Sequence, residues 1–546
     1  MACQKTGFFA DDLYSYGYAN SPGCISPLET GEKLYTIRWI PGKALHEYLT
    51  VSSDERFTYG RIVETLERDA HPPLFYFILH SICSMTPDKF SVWSAFIINA
   101  LGLTLLQMYL YRLCLFIGNN RFIALLILIF FGFSSATINM MVLLRMYILA
   151  TGFTVAFSYY ALKYLYDIYS DKIIDENLLL SFVFLYLSSM TVYLSVLFAF
   201  LLTLIICIML LIRKKIKRMF CFGFCMLFSI GVMCLSFPVV FTQLLGDKVA
   251  IKGADLFPYM LQIRTSIYVI SNGLFGINTP IYPTMIPFYT VTSLIGLGIL
   301  YAIIHFVFRN DTWFMDFIKK LRTSVVFLFQ KSLKYIRPLL PFVIISITFV
   351  LLFSKELKIY YYKELAMRYY YIITPFIAMI ILLLLLKLIR PTFARFGIIA
   401  ILTVTSLIFG SKCYLQQQLE SAKIEPITRG CDVIVIETDP PTFMYHIMDL
   451  MGCKSFLFAT TTDVFDGNVD DSLLEKAKES DNILLMVDQT AANENSMTSK
   501  TYKYDGTEAI TSKAENDVVN HFQSIPGFEH TEHVGTYYGS YIYRLK

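Results

Sequence analysis

The sequence predicts an α-helical polytopic membrane protein carrying a small C-terminal α/β domain, and three observations predict it. Of 546 residues, 55% are hydrophobic and only 16% charged, and the mean hydropathy of +0.55 is far too apolar for a soluble chain of this length. Apolar runs of about 20 residues, long enough to cross a bilayer core, recur from the late eighties to residue 411. Beyond 411 the pattern changes to short apolar runs that end in an acid, as buried strands do.

Spans are expected near 89–117, 122–140, 145–166, 178–193, 195–213, 219–242, 285–308, 338–356, 368–388 and 394–411, about ten helices. The stretch 178–213 is one continuous apolar run, too long for a single helix, and it is split at Ser188-Ser189-Met190-Thr191. Basic residues concentrate at alternate connections: Arg121, the run from Arg213 to Arg218, the stretch from Arg309 to Arg337, and Arg390 with Arg395. The positive-inside rule makes those connections cytoplasmic, so the N-terminal loop and the C-terminal domain face outward. The net charge of +4 sits in these short loops, which points to membrane orientation and away from nucleic acid.

Three domains follow: a first extracytoplasmic loop over 1–72, a multi-pass region over 73–411, and an extracytoplasmic α/β domain over 412–546. Segments 57–68 and 73–86 are too short to span and fit helices at the outer interface, and 243–283 is a further outer loop carrying Arg264. In the last domain, 431–437 and 482–488 are expected strands, 472–480 and 514–524 helices, and 533–545 a closing hairpin. That domain has neither a glycine-rich phosphate loop nor a catalytic triad, so it is expected to be non-catalytic. The eleven cysteines are scattered, several within apolar segments (Cys221, Cys225, Cys234), and no CxxC pair or Cys/His cluster of metal spacing occurs. They are expected to be small buried hydrophobes. The first 70 or so residues contain no apolar run that would act as a signal peptide.

Chemistry concentrates at two places before the first span. Gly7-Phe8-Phe9-Ala10-Asp11-Asp12 opens a polar stretch that closes on Asp69-Ala70-His71-Pro72-Pro73-Leu74. Adjacent carboxylates on an exposed loop, with a rigid turn returning to the membrane, suit an acid/base site; transporters more often hold their charges inside the bilayer. Asp69 and His71 either bind a divalent ion together with a loop carboxylate or hydrogen-bond the substrate; alternatively His71 only caps the proline turn. Arg145 and Arg368 lie near helix ends, at the height of a phosphate head group, where a guanidinium offers a forked pair of bonds. The bland alternatives are snorkelling for Arg145 and, for Arg368 with its three following tyrosines, an interface anchor. Lys355, Lys358 and Lys363 with Arg264 either share the phosphate role or form a solvated edge.

Taken together, Phe9-Ala10-Asp11-Asp12-Leu13-Tyr14-Ser15-Tyr16-Gly17-Tyr18-Ala19-Asn20-Ser21, Asp69-Ala70-His71-Pro72-Pro73-Leu74-Phe75-Tyr76, Arg145-Met146-Tyr147 and Met367-Arg368-Tyr369-Tyr370-Tyr371 with Pro375 resemble glycosyltransferases of GT-C fold. The closer likeness is to the dolichyl-phosphate-mannose–protein mannosyltransferases and their bacterial aminoarabinose-transferring cousins. The resemblance implies a polyprenyl-phosphate-linked sugar as co-substrate, a protein, lipid or polysaccharide acceptor at the outer face of the cell membrane, and inversion at the anomeric carbon. It makes Asp11 the base. Asp12 stands where the family usually has Glu, and either orients the acceptor or helps hold a metal. Asp69, His71, Arg145, Arg264, Arg368 and Tyr369 become substrate-binding residues, Asp69 and His71 also the candidate metal ligands. Family members carry a membrane helix before the acidic pair, whereas ten residues precede Asp11 here; the expectation is a start upstream of Met1, the alternative a truncated copy. Two other classes fit the same hydropathy: a transporter or flippase of lipid-linked saccharides, and a catalytically inactive scaffold. Against the first, no internal repeat is visible and the spans are nearly free of mid-depth charge.

Overall fold

The structure is a computed structural model that describes residues 5, 7–21, 26–29, 35–171, 175–245, 256–277, 338–354, 367–389, 391–411, 421–437, 440–477, 479–480, 482–488, 513–537 and 540–546. The chain divides into two compact units: Met1–Phe96 with Val142–Arg145 and Tyr414–Lys546, and Ile97–Met141 with Met146–Cys413.

The first unit begins with four short helices, α1 (Ala10–Asn20), α2 (Lys43–Leu49), α3 (Gly60–Glu67) and α4 (Leu74–Cys83), and a three-residue strand β1 (Trp39–Pro41) before α2. α4 starts directly after Pro72-Pro73, whose fixed φ suits a first helical turn. His80 on α4 clips the unit together: its Nδ1 faces the Ala19 carbonyl at 2.8 Å, and its Nε2 accepts the Thr58 N–H at 3.2 Å. An imidazole that donates from one nitrogen and accepts on the other is neutral, and burial accordingly pushes the His80 pKa down.

The second unit is helical: α5 (Trp93–Gly118), α6 (Arg121–Phe133), α7 (Ser135–Val142), α8 (Tyr147–Tyr169), α9 (Asp175–Ser189), α10 (Leu194–Ile212), α11 (Ile216–Ser236), α12 (Val240–Leu245), α13 (Leu256–Phe275), α14 (Pro338–Phe353), α15 (Thr374–Leu388) and α16 (Thr392–Phe409). Among the described residues α5, α10, α11 and α16 are long and apolar enough to cross a membrane, and the pair α6–α7, bent by 55°, makes a fifth candidate. The chain is a multi-pass membrane protein. Among the described residues fewer spans meet that criterion than the ten or so expected: α9, α14 and α15 are short, and α8, with 17 of its 23 residues buried, mixes Tyr, Thr and Ser among its apolar residues. The split expected at 188–191 falls at 190–193, between α9 and α10, and the expected span at 285–308 lies outside the described residues. α5 and α8 touch through glycine: a Cβ on Gly102 would meet the Leu149 backbone nitrogen at 2.9 Å, and one on Gly152 the Gly102 carbonyl at 3.0 Å. Close helix approach through small residues is how apolar helices associate in lipid.

The C-terminal part returns to the first unit with α17 (Ser421–Thr428), β2 (Asp432–Glu437), a 3-10 segment Pro440–His446, β3 (Ser455–Thr460), α18 (Thr461–Phe465), α19 (Asp470–Ala477), β4 (Ile483–Asp488), α20 (Lys513–Gln523), β5 (Thr531–Tyr537) and β6 (Ser540–Leu545). The sheet runs β1-β3-β2-β4-β6-β5. β2 pairs in parallel with both β3 and β4, and the hairpin β5–β6 closes one edge antiparallel. Strands β2, β4, β5 and β6 stand close to the sequence expectation. β3 was not expected, although Ser455-Phe456-Leu457-Phe458-Ala459 is an apolar run of strand length with a burial pattern to match.

β1 is the larger departure, because it comes from the first loop. Trp39 opposes Leu457 and Pro41 opposes Ser455 on the outer edge of β3. Proline is tolerated there because the strand is at the sheet edge. Side chains fasten the same join: Tyr35 donates to Asp463 at 2.8 Å, Trp39 Nε1 donates to the Ser472 carbonyl at 3.1 Å, and Lys476 lies 5.2 Å from the Trp39 ring centre. Gly42 passes so close to Cys453 that a Cβ would sit 2.1 Å from its carbonyl oxygen. The first loop and the C-terminal sheet are one folded body. A buried cluster sits at the carboxyl end of β2, where His446 lies between Glu437 (2.7 Å) and Asp449 (3.0 Å). The neighbouring Tyr445 ring packs edge-on against Phe9, 5.8 Å between centres, at the start of α1.

Candidate active site

The acidic pair lies on a helix. α1 begins at Ala10, so Asp11 and Asp12 fall in its first turn, where carboxylates are favoured by the unpaired N–H groups and the helix dipole. Their fates then diverge. Asp12 is fully buried, and both its oxygens are committed: Oδ2 accepts from Lys5 Nζ at 2.8 Å and from the Phe9 N–H at 2.9 Å, and Oδ1 accepts from the Leu144 N–H at 2.6 Å. The exposed loop expected for this pair is corrected by that geometry, since an acid at the third helical position caps its own helix. Asp11 keeps its side chain about one-fifth exposed.

Leu144 can serve Asp12 because residues 143–146 break the helix between α7 and α8, leaving a backbone N–H outside any helical ladder. The same break presents Arg145. Its guanidinium is buried; Nη1 donates to the Asp11 carbonyl at 3.4 Å, and Nη2 lies 3.2 Å from His71 Nε2 and 4.0 Å from Asp11 Oδ2. Arginine can only donate, so His71 accepts on Nε2 and carries its proton on Nδ1, which faces Asp69 Oδ2 in a very short contact. The result is a continuous chain: Asp69 carboxylate, His71 imidazole, Arg145 guanidinium, Asp11 carboxylate. Burial pushes the Asp69 pKa up, but the contact with His71 and the nearby Arg145 outweigh it and bring it down to about 2. Asp69 is therefore ionised at any physiological pH.

Asp11, Asp12, Asp69, His71 and Arg145, spread over 135 positions of sequence, are thus brought together within the first unit. Arg264, Arg368 and Tyr369 belong to the second. There Arg368 lies 5.4 Å from the Tyr369 ring centre, and the turn that carries it is tied to α13 by a 2.6 Å hydrogen bond between Ser266 and Tyr370. Lys355, Lys358 and Lys363 lie outside the described residues. One participant escaped the sequence reading. Lys5 is seven residues from Asp12 in a non-helical stretch, so no periodic spacing links the two, and only the tertiary structure reveals the pair.

The site does not fit a divalent ion. Among the described residues no group of three or more His, Cys, Asp and Glu side chains is arranged to hold a metal. An ion at Asp69 and His71 would displace the contact between them or the Arg145 contact on the remaining ring nitrogen, and would sit beside a guanidinium.

No family model matches the chain, and no curated protein does. Among solved structures, the chain is similar to ArnT from Cupriavidus metallidurans bound to undecaprenyl phosphate, with 10% identity and a TM-score of 0.34 over 91% of this chain and 94% of that one. The apo form of the same protein gives 9% identity and a TM-score of 0.35, over 91% and 93%.

Proposed function

We propose that the chain is a membrane glycosyltransferase of GT-C type, moving a sugar from a polyprenyl-phosphate-linked donor to an acceptor hydroxyl at the outer face of the membrane. The observation that carries this reading is Asp11: a part-exposed carboxylate beside a buried guanidinium that is itself held in place by His71 and Asp69. Transfer from an activated lipid phosphate asks the protein for two things, a base for the acceptor hydroxyl and positive charge for the departing phosphate. Asp11 takes the acceptor proton as the hydroxyl oxygen forms its bond to the anomeric carbon. The bond from that carbon to the phosphate oxygen breaks on the opposite side, and the lipid phosphate leaves with the electron pair. Attack from the opposite side inverts the anomeric carbon.

Arg145 supplies positive charge at the reacting end, and its burial against His71 and the Asp11 carbonyl limits reorganisation when negative charge develops. In this reading Asp12 is a positioning residue, because it is fully buried and both its oxygens accept from Lys5, Phe9 and Leu144. The first loop and the C-terminal domain, which fold as one body, both lie on the outer side in this reading.

The test is transfer of radiolabelled sugar from membrane polyprenyl-phosphate donors, comparing wild type with Asp11→Asn at equal protein. Removing a general base is expected to cost about 100- to 10,000-fold in rate while leaving the fold intact. An Asp11→Asn protein that transfers sugar at the wild-type rate would refute the assignment.

A further inference from the structure

Of the eleven residues of α1, nine are buried, and the two that keep exposure are Asp11 and Tyr14. They are three positions apart, hence neighbours on one helix face, with Cβ atoms about 5–6 Å apart. Side chains on a helix lean toward its N-terminus, so the Tyr14 side chain lies over the turn that carries Asp11. The accessible surface of this otherwise buried helix is therefore a carboxylate next to an aromatic ring.

Behind Tyr14 the aromatic surface continues. Its ring centre is 5.6 Å from that of Tyr18, Tyr18 is 5.8 Å from Tyr76, and Tyr76 is 6.5 Å from the imidazole of His71 that holds Arg145. Tyr18 and Tyr76 are buried and serve as backing, fixing the tilt of the one ring that reaches the surface. A pyranose presents two kinds of surface: hydroxyl edges, which take carboxylates and guanidinium groups, and C–H faces, which pack on an aromatic ring. Distances agree with this. An acceptor oxygen within about 2.6–3.2 Å of Asp11 and an anomeric carbon about 3–3.5 Å beyond it put the donor ring within about the 5–6 Å that separates neighbouring side chains on this face.

We propose that Tyr14 is the platform for the sugar being transferred: the pyranose of the donor packs a C–H face on the Tyr14 ring, which aims the anomeric carbon at the acceptor held by Asp11. The inference rests on the transferase reading and deepens it by assigning a sugar-ring subsite. Tyr14 recognises the presence and face of a pyranose and leaves the acceptor untouched.

The experiment measures binding of the purified full chain to citronellyl phosphate and to its mannosyl, glucosyl and 4-amino-arabinosyl esters. Wild type binds at least one ester more tightly than the bare phosphate. Tyr14→Ala loses that increment, about two- to tenfold, and binds the bare phosphate as wild type does. Tyr14→Phe keeps the increment, since the ring face and not the hydroxyl makes the contact. Tyr14→Leu, which fills the space without an aromatic face, behaves as Tyr14→Ala and separates lost packing from lost stacking. The proposal falls if no ester outbinds the bare phosphate in wild type, if Tyr14→Ala and Tyr14→Leu keep the increment, or if Tyr14→Phe loses it. Transfer surviving in Asp11→Asn would instead remove the transferase reading, so the two fail on separate measurements.

Discussion

Replacing Asp12 with Asn is the most informative perturbation of the fold beneath this site. The carboxylate receives three donors, at 2.8 Å from Lys5, 2.9 Å from Phe9 and 2.6 Å from Leu144, and neither charged side chain reaches solvent. An amide keeps one accepting oxygen, turns an N–H₂ toward a donor, and leaves the Lys5 ammonium buried without a counter-charge. Breaking a buried ion pair by removing one partner costs about 3–5 kcal/mol. For a unit of some 200 residues that corresponds to a fall of roughly 6–20 °C in the thermal midpoint. The assay is thermal unfolding of detergent-purified protein, for Asp12→Asn, Lys5→Met and the double variant Lys5→Met/Asp12→Asn. Each single change should lower the midpoint strongly, and the double variant should lose much less than their sum, because no charge is then stranded. At temperatures where Asp12→Asn stays folded, transfer should fall but persist, since Asp11 remains in place. Additive losses, or an unchanged midpoint in Asp12→Asn, would refute both the buried pair and the positioning role.

Asp69→Asn should cost about 2 kcal/mol at neutral pH, from a folded-state carboxyl lowered from 3.8 to about 2. A depressed carboxyl stabilises the fold above its unfolded pKa, and that contribution is lost as pH falls through the folded value. Unfolding midpoints of wild type and variant should therefore differ at pH 7 and converge between about pH 4 and 2; a gap of constant size down to pH 2 contradicts the shift. Gly42→Ala drives a methyl to 2.1 Å from the Cys453 carbonyl oxygen, so β1 should detach from β3 and limited proteolysis should cut 35–50 faster than in wild type. Gly102→Val should lower the thermal midpoint by forcing α5 from the Leu149 backbone, whereas Gly397→Ala on α16, with nothing within 4 Å, should leave it within a degree or two of wild type.

Much of the helical layout was legible in the chain because lipid imposes a simple rule: a backbone without water must bond within its own segment, and that takes a long apolar run. α5, α10, α11 and α16 follow from hydropathy alone. α8 shows where the rule weakens, since an inner helix packed by protein is free to carry Tyr, Thr and Ser. The acidic pair and the His-Pro-Pro turn were visible as motifs, yet nothing local distinguishes Asp11 from Asp12. Both are acids in one helical turn, and the difference between a part-exposed carboxylate and a capped, buried one depends on Lys5 and Leu144.

By itself, the sequence determined that this is a multi-pass helical protein with an α/β tail, and it offered Asp11, Asp12, Asp69, His71 and Arg145 as candidates for chemistry. Tertiary structure decided where those residues sit and what they touch. Folding set Arg145 against His71 and Asp11, spent Asp12 on an internal ion pair, and left Tyr14 as the one aromatic ring of α1 that meets the surface. It also stitched residues 39–41 into a sheet whose other strands lie some 400 positions later. The physical reason is common to all of these. Hydropathy and helix caps act over a few neighbouring residues and can be read along the chain, whereas burial, ion pairing and strand partnership are properties of a place in space, which distant segments must meet to create.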